Sequence, residues 1–212
     1  MAYAIASAVI TVLPGPSNLF LLAHGIGHGR RAALAALIGI ETASAIRVVL
    51  TAAGLATVLA SSATAFAVIR WAGVGYLTYL GIRAFQARHT GHAEDADQAA
   101  TLAARSVPAG QSARKGLMTG LANPKMAIFF IAFLPQFVHP GHGSAAAQML
   151  TLGAIFWSIG VPWDLALACA SGTVGNWVRR RPRIQALQPR VEGITYLGLA
   201  GWAAVAGGHA DR

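Results

Sequence analysis

Three ionisable residues lie inside long apolar runs of this sequence, Glu41 and Arg47 in one run and Asp164 in another. A charge at the centre of a membrane-spanning helix costs roughly 2.5–3.5 kcal/mol on the insertion scale, and such residues by default mark a substrate or ion pathway. Two acidic groups can receive an ammonium, or one of them can carry a proton. An arginine, always charged, can hold a carboxylate or steady the acidic pair. Glu41 and Arg47 are six residues apart, about 120° around a helix of 3.6 residues per turn, so they are not partners for each other and Arg47 needs an acceptor elsewhere. The structural alternative is an ion pair between Arg47 and Asp164 that joins two spans.

A second signal lies in the punctuation of two other runs. TVLPGPSNLFLLAHGIG, Thr11 to Gly27, contains Pro14, Gly15 and Pro16 followed by Asn18, and GLANPKMAIFFIAFLPQF, Gly120 to Phe137, contains Asn123, Pro124 and Lys125 and then Pro135. Proline costs about 3 kcal/mol or more inside a helix because it lacks a backbone donor and clashes with the preceding turn. A break inside a span frees carbonyls and creates a helix N-terminus whose N–H groups and dipole attract an anion such as a carboxylate. Unsatisfied backbone at that depth survives only buried in protein or lining a cavity. Pro14, Gly15, Pro16, Asn18, Asn123, Pro124 and Lys125 are therefore candidate substrate-binding positions, with Glu41, Arg47 and Asp164 as candidate coupling or buried charges.

These residues need helices to position them, and composition says in which solvent. The chain is 55% hydrophobic and 11% charged, with mean hydropathy +0.55, against roughly 25% charged in ordinary soluble domains. Six apolar runs, at about 2–24, 34–60, 64–86, 114–138, 146–171 and 191–208, reach or approach the ~20 helical residues a hydrocarbon core requires. The run carrying Glu41 and Arg47 has a charge cost of roughly 5–7 kcal/mol against roughly 3–6 kcal/mol from its Leu, Ile and Val residues, so it needs compensation inside a bundle. The net charge of +9 comes from short basic clusters between apolar runs, a pattern that speaks against nucleic acid as partner and for the lipid bilayer. No Lys or Arg precedes the first run to form the n-region of a cleaved signal peptide. Cys169 is the single cysteine, so no intrachain disulfide is available.

Lys and Arg also predict orientation. Arg30 and Arg31, then Arg88, Arg105, Arg114 and Lys115, then Arg179 to Arg181, Arg183 and Arg190 fall in alternate connections, whereas Ser61-Ser62 and HPGHGS, 139–144, carry none. The basic connections go to the cytoplasm and both termini outside. Residues 87–113, rich in Ala, Gly and mixed charge, read as a cytoplasmic linker. The expected fold is thus an all-α polytopic membrane protein of six transmembrane helices, a first three-helix repeat at 1–86 and a second at 114–212. Three is odd, so the second repeat is inverted relative to the first. Each break then occupies the first span of its repeat, the arrangement in which transporters place a midplane substrate site.

At the same residues the sequence resembles the LysE/RhtB family of bacterial amino-acid exporters. PGPSNLFLLAHGIGHGRRAALAALIGI is similar to the family's amino-terminal signature, RWAGVGYLTYLGIRAF, Arg70 to Phe85, to its third span, and GLMTGLANPKMAIFFIAFLPQF, Gly116 to Phe137, to its second signature. The resemblance implies a six-span transporter in the bacterial inner membrane that exports amino acids or close derivatives, driven by an ion gradient, the proton gradient being the expected one. Glu41, Ala43 and Arg47 depart from the pattern, standing where members more often carry small residues, glycine and a polar or histidine side chain.

Other classes find less support. His24 and His28 have the i, i+4 spacing of a metal pair but no evident third ligand, so no metal is expected. A membrane-embedded enzyme using Glu41, Asp164 and a histidine has no HExxH or GxSxG motif, and an ATP-driven pump has no GxxxxGK[ST]. No cofactor is implied. An accessory subunit without transport of its own is the remaining alternative, and a homodimer is compatible with the sequence without being specified by it.

Overall fold

The local rules for proline and glycine decide where the helices stop. A computed structural model of the chain describes residues 1–13, 15–86, 107–139, 143–179, 190, 193–202 and 204–205. Pro14, residues 87–106 of the predicted linker, Arg180, Arg181 and Arg183, and residues 206–212 lie outside the described residues. Helix α1, Ala2–Val12, ends where Leu13 turns to extended backbone; α2, Pro16–His28, starts with a proline at its first position, where the missing N–H costs nothing. Gly29, at φ 84°, gives the turn into α3, Arg30–Ser61, and Ser62 separates α3 from α4, Ala63–Gln86.

The second predicted break is also present. Helix α5, Ala109–Ala122, stops at the extended Asn123, and α6, Pro124–Ile128, begins with its own proline. It widens into a π turn over Phe129–Phe133 and closes in a 3-10 turn over Leu134–Phe137. Pro135 accounts for the change of pitch, since it cannot donate to the carbonyl four residues back and its ring displaces that carbonyl. Helix α7, Ala145–Arg179, is the longest of these helices and contains Pro162; residues 193–202 form α8.

Arg30–Gly54 and Ala145–Ser171 are each long and apolar enough to cross a membrane, and the pairs α1/α2 and α5 through Phe137, bent by 42° and 52°, make two more if each is one span. Helix α4 has 24 residues, about 36 Å at 1.5 Å per residue, and so has the length to cross. The sixth predicted run is described only in part.

Polarity is distributed inside out, as a lipid solvent demands. Ile5, Ile38 and Leu50 are each 65% exposed, whereas Lys125 is 1% and Arg47 8% exposed. Such an arrangement would be costly in water and is favourable where the outer face meets lipid. Helices α3 and α5 pack backbone to backbone: a Cβ at Gly39 would run into Ala113 and Leu117, one at Gly116 into Ala36, and one at Gly120 would lie 2.6 Å from the Ala43 side chain. Small residues allow this approach and supply the dispersion contact that holds helices together in lipid. At one end of the bundle Tyr3, Phe129, Phe133, Phe137, Phe156 and Trp202 form an aromatic layer, with Phe137 and Trp202 stacked at 4.9 Å. At the other, His24 Nε2 lies 3.0 Å from Ser112 Oγ.

Candidate functional site

The two breaks meet. Asn123 Nδ2 donates to Ser17 Oγ at 2.7 Å, tying the extended residue of the second break to the first turn of α2. Lys125 then reaches back across the bundle, and its ammonium donates to the carbonyls of Leu13 at 2.7 Å and Ile10 at 3.0 Å. Asn18 Nδ2 takes the carbonyls of Thr11 at 3.0 Å and Leu13 at 3.3 Å. The carbonyls that the first break frees at the end of α1 are therefore occupied by side chains, and a buried cation sits at the negative end of that helix dipole.

The end of α5 is treated in the same way from the opposite direction. Arg47 Nη2 donates to the carbonyls of Gly120 at 2.8 Å and Leu121 at 2.9 Å, the last turn of the helix that stops at Asn123. Arg47 thus finds its acceptor in a backbone terminus rather than in Asp164. Both freed carbonyl ends are capped by a cation from the other half of the chain.

The helix N-termini differ from each other. Asn123 Oδ1 accepts from the Lys125 N–H at 3.0 Å and caps α6. No side chain caps α2, so its first-turn N–H groups stand at the positive end of the dipole. Pro16 opens that helix, and Pro124 opens α6, both as first-position prolines. Gly15 adopts ordinary extended angles, φ −140° and ψ −179°. Its glycine identity has a spatial cause instead: a Cβ there would lie 2.7 Å from Lys125 Nζ and 2.8 Å from Lys125 Cε.

Between the breaks lies a cavity of about 20 Å³, room for a water or so. Ser17 and Asn18 from α2, Glu41 and Arg47 from α3, and Trp157 and Asp164 from α7 line it, with Thr11, Ser44 and an apolar wall of Ile40, Met126 and Phe156. Glu41 and Asp164 come within side-chain hydrogen-bonding range of each other, and Trp157 reaches Glu41 as well. Asp164 Oδ1 is buried with no hydrogen-bond partner among the described residues. The three candidate charges and both breaks therefore converge on one space. Gly15, Pro16, Asn123, Pro124 and Lys125 frame it without lining it, and Pro14 falls outside the described residues.

The sequence did not single out Thr11, Ser44 or Trp157 as site residues, because a hydroxyl or indole in an apolar run carries no spacing signal of its own. The His24 and His28 rings meet edge to face at 4.7 Å, and no cluster of three or more metal-ligating side chains occurs among the described residues.

Comparison with known proteins gives the family. Over 186 residues the chain is 30% identical to a homoserine/homoserine lactone efflux protein of Salmonella typhimurium, covering 88% of this chain and 86% of that protein. It is 25% identical over 202 residues to a leucine efflux protein of Enterobacter sp., covering 93% and 91%, and 26% identical over 200 residues to a leucine efflux protein of Klebsiella pneumoniae, covering 94% and 92%. No solved structure matches. Residues 8–207 fit the pattern of LysE type translocators, and by that match over nearly its whole length the chain belongs to this family of membrane transporters, which are not enzymes.

Proposed function

We propose that this protein is a secondary transporter that exports amino acids or close derivatives across the bacterial inner membrane, coupled to the proton gradient. The proposed arrangement is two inverted three-helix repeats with both termini outside. The named activities of the efflux relatives support the substrate class. One observation carries the reading further: the cavity sets an uncapped helix N-terminus at Ser17 and Asn18 beside a pair of carboxyls, Glu41 and Asp164.

That pairing matches a zwitterion. The α2 N-terminus offers N–H groups and a positive dipole end to a carboxylate, and the acidic pair receives the ammonium. Ile40, Met126, Phe156 and Trp157 supply an apolar wall for a side chain. The acidic pair also suggests how coupling arises. Two carboxylates about 4 Å apart repel by about 4 kcal/mol at an effective dielectric constant of about 20. Either a proton or a substrate ammonium relieves this repulsion, and the small space does not serve both at once. Exchange of one positive charge for the other is antiport, with a proton entering as the substrate leaves. Arg47 and Lys125 hold the two breaks in place while this happens.

The test uses the purified protein alone in liposomes loaded with radiolabelled leucine or homoserine. Flux is expected on imposing a pH gradient, and unlabelled amino acids are expected to compete. Their N-acetyl derivatives, which lack the ammonium, are expected to compete at least tenfold less well. Absence of flux from the protein alone favours the accessory-subunit reading, and equal competition by N-acetyl derivatives removes the acidic pair from recognition.

A further inference from the structure

Helix α1 carries three hydroxyl side chains at intervals of four, Tyr3, Ser7 and Thr11. That spacing puts them on one helix face, and the face is inward: Tyr3 is 5%, Ser7 0% and Thr11 3% exposed. Ile5, Val9 and Val12 occupy the opposite face, which is open to the surroundings. All three hydroxyl oxygens are buried; those of Tyr3 and Ser7 face each other, and none makes a well-formed hydrogen bond to any other group among the described residues.

The rest of the molecule shows what a hydroxyl in an apolar helix ordinarily does. Thr42, Thr57, Thr78 and Thr151 each donate to the carbonyl four residues back, at 2.7 to 2.9 Å, and Ser158 and Ser171 donate three back. Back-bonding of this kind is the local remedy available to any helical Ser or Thr. Ser7 and Thr11 do not take it, and turn into the bundle instead. A row of buried hydroxyls that forgoes its backbone acceptors is polar lining in search of water, because buried polar groups are satisfied by protein or by ordered water.

Position gives the row its meaning. Thr11 lines the cavity that holds Glu41 and Asp164. Tyr3 lies at the opposite end of α1, in the aromatic layer, with its ring 5.0 Å from Phe137. Phe133 and Phe137 pack against Trp202 in the same layer. Tyr3's hydroxyl lies beside Ser7's. The next step, from Ser7 to Thr11, is about 6 Å along the helix, a gap that one water spans with two hydrogen bonds of about 2.8 Å.

We propose that Tyr3, Ser7 and Thr11 line a single-file water path through the aromatic layer, along which protons pass between the outer surface and the Glu41–Asp164 pair. The path rests on the proposed reading of the chain as a proton-driven exporter. Each hydroxyl or water accepts a proton on one side and releases its own on the other. One proton leaves outside water, one arrives on a carboxylate oxygen, and each oxygen between them breaks one O–H bond as it forms another. The Lys125 ammonium stands beside the inner end of the row, held by the carbonyls of Ile10 and Leu13, and Arg47 lies across the cavity on those of Gly120 and Leu121. The acidic pair offsets these cations where the path ends.

The test compares Tyr3→Phe, Ser7→Ala and the double variant with the wild type in liposomes. Two quantities are read: pH-gradient-driven efflux of radiolabelled leucine or homoserine with proton entry followed by a pH-sensitive dye, and exchange of the same substrate without a gradient. Exchange without a gradient needs the same folded protein, so a loss confined to gradient-driven efflux is not ascribed to misfolding. The expected result is gradient-driven efflux and proton entry slowed at least tenfold, with exchange within twofold of wild type. Unchanged gradient-driven efflux in the double variant overturns the path, as does an equal fall in efflux and exchange. A wild type that exchanges substrate without responding to the gradient overturns the coupling, and the path with it.

Discussion

Gly15 and Lys125 are expected to depend on each other, and a double-mutant cycle measures how much. Lys125 is 1% exposed and its ammonium lies 2.7 Å from the Leu13 carbonyl and 3.0 Å from that of Ile10. Lys125→Ala strips a charge-assisted donor from both. Leaving a buried acceptor unsatisfied costs about 1–3 kcal/mol; the Leu13 carbonyl keeps Asn18 Nδ2 at 3.3 Å, so the cost falls on the Ile10 carbonyl and is reduced by no longer burying an ammonium. A net loss of about 1–3 kcal/mol is expected. Gly15→Ala acts by another route to the same end. Its backbone angles suit alanine, but the added Cβ would lie 2.7 Å from Lys125 Nζ and 3.3 Å from Lys125 Cδ, and the chain end has to move off the carbonyls it caps.

In the Lys125→Ala background the three atoms nearest to that methyl group are gone. There Gly15→Ala is expected to be neutral, or stabilising by about 0.4–1 kcal/mol through the unfolded chain. In the wild type it is expected to cost about 1–3 kcal/mol, so the coupling is about 1–4 kcal/mol, above the ~0.3–0.5 kcal/mol scatter of independent sites. Unfolding midpoints of the detergent-purified single and double variants supply the energies. A cost for Gly15→Ala that is the same in both backgrounds refutes the argument, because the methyl group would then be felt by something other than Lys125.

Asp164→Asn is expected to abolish gradient-driven export while substrate exchange persists, since it removes one member of the acidic pair and keeps the cavity's volume; loss of both fluxes with well-folded protein refutes the coupling role. Pairing it with Arg47→Ala is not expected to restore coupled export, because Arg47 caps α5 through Gly120 and Leu121. For orientation, cysteines placed at Ser62 and Ser144 in a Cys169→Ala background are expected to react with an impermeant thiol reagent from outside intact cells, and one at Gln111 only after lysis. The reverse pattern refutes the proposed sidedness.

The breaks were legible because proline and asparagine act locally. Pro16 and Pro124 each start a helix, and Asn123 caps one, for reasons contained in a few residues. The need of Glu41, Arg47 and Asp164 for compensation was legible too, since a charge in an apolar run has to be met by something. What meets it was not. Glu41 and Asp164 converge only because α3 and α7 pack around the same space, and no local rule brings together residues that far apart in sequence. Lys125 read as a group offered to substrate, and it is instead turned onto α1. The row of Tyr3, Ser7 and Thr11 was present in plain spacing, but its significance depends on which hydroxyls decline their backbone acceptors, a fact of side-chain orientation.

The caps also constrain how the molecule can move. Lys125 belongs to the second half of the chain and closes α1 in the first; Arg47 belongs to the first half and closes α5 in the second. Opening the cavity by pulling the halves apart at the breaks would strip the acceptors from both cations at once, and each exposed carbonyl adds its own penalty of about 1–3 kcal/mol. The small-residue contact of Gly39, Gly116 and Gly120 ties α3 to α5 along the same seam. Motion that admits substrate therefore costs least where the seam is not involved. The aromatic end of the bundle meets that condition, whereas the end where His24 bonds Ser112 adjoins the contact of Gly39 with Ala113.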